Sequence, residues 1–70
     1  MGDICLYPDK CVGGFRLLLI QRNVLGYRPS KYGIIESEEA AWERAMELNS
    51  DMGVYAKETV LDIVGSSMGE

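Results

Sequence analysis

The strongest strand signal in the chain is the segment Phe15-Arg16-Leu17-Leu18-Leu19-Ile20-Gln21. Its run of four consecutive aliphatic residues has the length of a strand and falls far short of the ~20 residues that a membrane-spanning helix needs. A continuous apolar run leaves neither face of a strand polar, so the pattern predicts burial on both faces. We therefore expect this strand to be central in its sheet.

Turn signals precede the central strand. A short strand is predicted from Asp3 to Tyr7, and the turn-forming residues Pro8-Asp9-Lys10 follow it. The chain then resumes at Cys11-Val12, and Gly13-Gly14 forms a second turn signal or a bulge. The sequence leaves open which of the two turns closes the first hairpin.

The segment after the central strand is irregular. Residues 23–26 are typical of a turn, and Pro29 confines the next segment to a sheet edge because proline cannot donate a ladder hydrogen bond. A third strand is predicted around Tyr32–Ile35.

A helix is predicted to begin after Ser37, a favoured N-cap residue, and to end within residues 49–53. Apolar residues at three- and four-residue spacing form its buried stripe: Ala41, Trp42, Ala45 and Leu48. A second helix is predicted from Ala56 to about Ser67, although the β-branched residues in this segment leave a strand as the alternative.

These elements predict one small α+β domain over residues 1–70. Residues 1–35 form a small antiparallel sheet of two to three strands, and residues 36–70 form one or two helices that pack against it. A chain of this length buries only about 60% of its unfolded surface, so self-association is one way to gain stability.

Charge divides at the same boundary. Residues 1–35 carry five cations and two acids, whereas residues 36–70 carry nine acids and two cations. Glu39, Glu43 and Glu47 follow one another at four-residue spacing on one helix face, and Glu36 and Asp51 extend the line. We expect no cation to relieve this line and Arg44 to point elsewhere. The line is either a solvated face or a surface for a basic protein partner.

A second candidate surface interleaves aromatic and cationic residues: Tyr27, Arg28, Lys31 and Tyr32. Such a pattern is typical of single-stranded nucleic-acid binding, but the acidic chain lacks the expected basic footprint. Direct nucleic-acid binding is therefore the less favoured interpretation, and a structured loop is preferred.

The sequence contains little chemistry for catalysis. It has two cysteines and no histidine, which excludes the common zinc sites and deprives a serine or cysteine nucleophile of its usual base. It has no phosphate-binding glycine motif. We therefore expect no enzyme activity, no catalytic residue, no metal and no cofactor. Without a signal peptide pattern, a cytoplasmic setting with Cys5 and Cys11 as free thiols is expected.

The C-terminal third resembles the helix–loop–helix ends of short proteins encoded by bacteriophages and other mobile elements. The similar segments are Ala40-Ala41-Trp42, Leu48-Asn49, Gly53-Val54 and the stretch from Asp62 to Met68. They cover under half of the chain, which departs from the pattern at Tyr55, where a capping Ser or Thr is expected. The resemblance implies no functional residue. It implies a phage accessory protein, a class rich in small, acidic, non-enzymatic inhibitors of host defence, anti-CRISPR proteins among them.

The sequence thus favours a protein-binding module that uses an acidic helix face to block a basic, nucleic-acid-binding surface of a host protein. A self-assembling homodimer without an inhibitory role is the alternative.

Overall fold

A β-hairpin forms the core of the fold. The computed structural model describes residues 2–67. Strand β1 (Ile4–Cys11) pairs antiparallel with β2 (Gly14–Gln21), with Cys5 opposite Ile20. The hairpin turns at residues 12–13 and so includes Gly13, the first residue of the predicted glycine pair, which has a φ of +92°. The alternative turn at Pro8-Asp9-Lys10 is wrong, because β1 continues through these residues.

The predicted central strand is confirmed as β2, which lies between β1 and a two-residue strand, β3 (Arg28–Pro29). The third strand is therefore misplaced in the prediction. Gly26, at a φ of +89°, lets the chain reverse early, so Arg28 already pairs with Leu19. Of the predicted segment Tyr32–Ile35, only Ile35 contacts the sheet backbone, as a single bridge to Phe15.

Two helices follow the sheet, as predicted. Helix α1 (Glu38–Ser50) begins after Ser37, whose Oγ accepts a hydrogen bond from the Ala40 N–H at 3.0 Å. The last segment forms helix α2 (Lys57–Ser67), as predicted, and not the alternative strand. Neither helix within residues 2–67 is long and apolar enough to cross a membrane.

The two faces of the sheet have different cover. On one face, Leu18 and Ile20 are fully buried against Val60 and Ile63 of α2. On the other face, the buried Leu17 packs with Leu6 and Ala45, and only partly buried side chains complete the layer. The prediction that β2 is buried on both faces is confirmed, and the second face is the more open one.

Helix α1 lies along the free edge of β1. Ala41, Ala45 and Asn49 recur every four residues and are fully buried. The Asn49 side chain accepts a hydrogen bond from the Leu6 N–H at 2.7 Å and donates one to the Leu6 carbonyl oxygen at 3.1 Å. The small alanines let the helix approach, and Pro8, also buried, has no N–H to satisfy. The edge of β1 is thereby protected from pairing with another strand.

Candidate protein interface

The acidic face of α1 consists of Glu39, Glu43 and Glu47, all of which are exposed. Four-residue spacing places the three carboxylates on one side of the helix. Glu36 and Asp51, also exposed, lie just before and just after this helix. The three glutamates of the predicted line therefore lie on one exposed side of α1.

One part of the charge prediction is wrong. Arg44 does not point away from the acidic face: its Nη1 lies 3.0 Å from the Glu47 Oε1. The pair is separated by three residues, a spacing at which helical side chains meet. Within residues 2–67, Glu39 and Glu43 make no ion pair, so the uncompensated part of the acidic face is its first two turns.

Packing holds the acidic face in a fixed position. Asn49 ties the last turn of α1 to β1, and Ser37 caps the first turn. Between them, Trp42 meets the Tyr7 ring edge-on, with ring centroids 5.8 Å apart. The Lys57 ammonium lies 4.4 Å from the centroid of the Trp42 ring, which joins the start of α2 to α1. A partner would therefore meet a preorganised surface.

Two cations of the sheet half, Arg16 and Arg22, form ion pairs with acidic residues of the chain. The guanidinium of Arg16 lies 3.1 Å from the Asp9 carboxylate, and Arg22 contacts both Asp62 at 2.6 Å and Asp3 at 3.4 Å. The hydrogen bond from Arg22 to Asp62 raises the pKa of Arg22 above its ordinary value. Arg22 thus links the end of the sheet to α2.

Tyr27, Arg28, Lys31 and Tyr32 do not form one stacking platform. Tyr27 is 49% exposed, and the Arg16 guanidinium carbon lies 5.9 Å from its ring centroid. Tyr32 is half-buried, and both Lys31 and Arg44 lie 5.7 Å from its ring centroid. Cations already occupy positions over both rings, which favours the structured-loop interpretation of this segment.

An open groove on the second face of the sheet was not expected from the sequence. We call it the sheet trough. One part, of about 390 Å³, is lined by residues that include Leu6, Leu19, Lys31 and Asp51. The other part, of about 210 Å³, shares Leu19 and is lined at its far side by the loop after β2. Strand alternation marks Leu6 and Leu19 as facing one side, but no local pattern indicates that this side lacks a helix.

The two cysteines are free thiols, as expected. Both belong to β1, and the six residue-to-residue steps of extended strand between them span roughly 20 Å, far beyond the reach of a disulfide. Burial raises the pKa of the Cys5 thiol to about 11. Cys5 is therefore an inert core residue.

Within residues 2–67, no group of three or more cysteine, aspartate or glutamate side chains is placed to hold a metal ion. Comparison with protein-family models, with curated proteins and with solved structures found no match to this chain.

Proposed function

We propose that this chain is a non-enzymatic protein-binding module whose acidic face blocks a basic surface of a partner protein. The observation that carries the proposal is the pair Glu39 and Glu43, exposed on α1 and without an ion pair among residues 2–67. A basic partner would supply the counter-charges that the chain itself does not.

The energetics of the helix support this proposal. Glutamates at four-residue spacing repel each other by about 0.2–0.5 kcal/mol per pair. Complementary charge on a partner would remove that cost and accelerate association, since electrostatic attraction steers diffusional encounter. The anchored helix adds to the effect, because a surface that is already ordered loses little entropy on binding.

The resemblance to phage and mobile-element proteins supplies the biological setting of the proposal. In that setting the partner is a nucleic-acid-binding protein of the host, and the module competes with nucleic acid for its basic surface. The site of action is the host cytoplasm, where the free thiols of Cys5 and Cys11 remain reduced.

Affinity capture from a bacterial host lysate, followed by purification of the captured protein, tests the proposal. We expect the double variant Glu39→Gln/Glu43→Gln to bind that protein roughly 2- to 30-fold more weakly, because each exposed ion pair lost costs ~0.2–1 kcal/mol. The wild-type affinity should fall as salt is added, and duplex DNA should displace the module.

The matched control is Glu38→Gln/Glu58→Gln. It removes the same net charge from exposed positions off the acidic face and should leave the affinity unchanged. Equal binding by the wild type and the Glu39→Gln/Glu43→Gln variant would rule out the acidic face as the binding surface.

A further inference from the structure

The sheet trough collects exposed apolar side chains. Within residues 2–67, eight large hydrophobic residues are exposed. Four of these line the smaller part of the trough: Ile4, Val24, Leu25 and Tyr27. Leu25 is 79% exposed, although leucine is usually a buried residue. Such clustering differs from the scattered exposure of single hydrophobic residues and marks an interaction surface.

The trough has opposite charges on its two sides. Lys31 follows β3, the last strand on one side of the sheet, whereas Asp51 caps the end of α1 beyond β1 on the other side. Both residues line the larger part of the trough. Neither forms an ion pair with any residue from 2 to 67. The floor between them is apolar, formed by the facing pair Leu6 and Leu19.

The charges beside the trough of one copy can complement the charges beside the trough of a second copy. When two such faces meet around a two-fold axis parallel to the strands, the β1 side of one sheet lies over the β3 side of the other. Lys31 then faces the partner's Asp51, and Asp51 faces the partner's Lys31. A two-fold axis across the strands would instead place like charges opposite each other, which is unfavourable.

We infer that a second copy of this chain covers the sheet trough, in a two-fold dimer whose axis runs parallel to the strands. The apolar floors of the two copies stack face to face, at the ~10 Å spacing of packed sheets. The dimer leaves Glu39 and Glu43 outside the interface, since neither lines the trough. Asp51 is thereby assigned to the trough and not to the acidic face.

Sedimentation of the wild type over a concentration series tests the dimer, with charge reversals that test its geometry. Lys31→Glu or Asp51→Lys alone places two like-charge pairs in the dimer and should raise its dissociation constant roughly tenfold or more. An equimolar mixture of the two variants should dimerise like the wild type, because the mixed dimer contains one reversed and one native pair, and both pairs are complementary. Only an intermolecular contact gives this recovery.

The apolar part is tested by Leu25→Asp, which buries a carboxylate in the dimer and should leave a monomer. Lys10→Glu and Glu58→Lys reverse charges at exposed positions outside the trough and should dimerise normally. A wild type that stays monomeric at every concentration overturns the inference, as does a mixture of Lys31→Glu and Asp51→Lys that fails to recover. The acidic-face variant Glu39→Gln/Glu43→Gln should dimerise fully. The dimer and the proposed function can therefore be rejected independently of each other.

Discussion

The side chain of Asn49 forms with the backbone of Leu6 the two hydrogen bonds that a neighbouring strand would otherwise form. Its carboxamide accepts from the Leu6 N–H and donates to the Leu6 carbonyl oxygen, at 2.7 and 3.1 Å. All of Asn49 is buried, so water cannot replace either hydrogen bond. Among residues 2–67, Asn49 is the residue of α1 whose side chain forms hydrogen bonds with the sheet.

Replacement of Asn49 by Ala should therefore destabilise the protein markedly. Two buried backbone groups of Leu6 lose their partner, and each costs ~1–3 kcal/mol, so we expect a loss of roughly 2–6 kcal/mol in the free energy of unfolding. Urea unfolding followed by Trp42 fluorescence measures this loss. The neighbouring exposed Ser50→Ala is the control and should stay within ~0.5 kcal/mol of the wild type. A comparably small effect of Asn49→Ala would mean that the two hydrogen bonds do not contribute to stability.

Gly14 should not tolerate a side chain. Its φ of +145° lies in the region that disfavours other residues, and a Cβ would lie 3.0 Å from the Glu36 Cα and still closer to the Ile35 carbonyl oxygen. That oxygen accepts the Phe15 N–H at 2.8 Å, so relief of the clash would break the Phe15–Ile35 bridge. We expect Gly14→Ala to cost ~2 kcal/mol or more in urea unfolding.

Gly33 is the matched control for Gly14. It lies in the connection between β3 and α1, its φ is not positive, and a Cβ added there would meet no atom within 4 Å. Gly33→Ala should be neutral or should stabilise by up to ~1 kcal/mol, because alanine has less conformational freedom in the unfolded chain. Equal losses from both substitutions would contradict a steric role for Gly14.

Local sequence patterns are sufficient to predict β2 and α1. The apolar run at Leu17–Ile20 indicates β2, and the Ser37 cap with its apolar stripe indicates α1. The turn preference of Pro8 is overridden by tertiary structure, because at the edge of β1 a residue without an N–H is an advantage. The position of β3 could not be predicted, since a two-residue pairing leaves no periodicity to detect.

Some features of the candidate sites could likewise be predicted from local sequence patterns, and others could not. The acidic face could be predicted because four-residue spacing on a helix fixes which side chains share a side. The ion pair from Arg44 to Glu47 was missed, although its three-residue spacing is visible in the sequence. The role of Asn49 depends on a residue 43 positions away, and the trough depends on which face α2 covers. Both are properties of the packing and have no local signature.

Stability should fall in alkaline solution because of Cys5. Its pKa is raised by burial from 9.0 to about 11, so the folded protein keeps the thiol proton at a pH where the unfolded chain releases it. Release of the proton favours unfolding, and stability is therefore lost as the pH rises from about 9 to about 11. Urea midpoints over this range should decline less steeply for Cys5→Ala than for the wild type. Cys11→Ala is the control and should keep the wild-type decline, so identical slopes for all three proteins would contradict the assignment to Cys5.

The acidic face should be maintained at a cost to stability. Glu43 lies four residues from Glu39 and from Glu47, whose charge Arg44 partly offsets, so Glu43→Gln removes one to two repulsive pairs and should stabilise the protein by ~0.2–1 kcal/mol at low salt. The gain should shrink as salt is added, because exposed charges are screened. Glu58→Gln, an equal change of charge in the first turn of α2, is the control; it should give no gain, since a carboxylate there interacts favourably with the helix dipole. If Glu43→Gln proves more stable yet binds the captured partner more weakly, the acidic residue is retained for recognition, whereas a Glu43→Gln variant that loses stability would show that the face is not electrostatically strained.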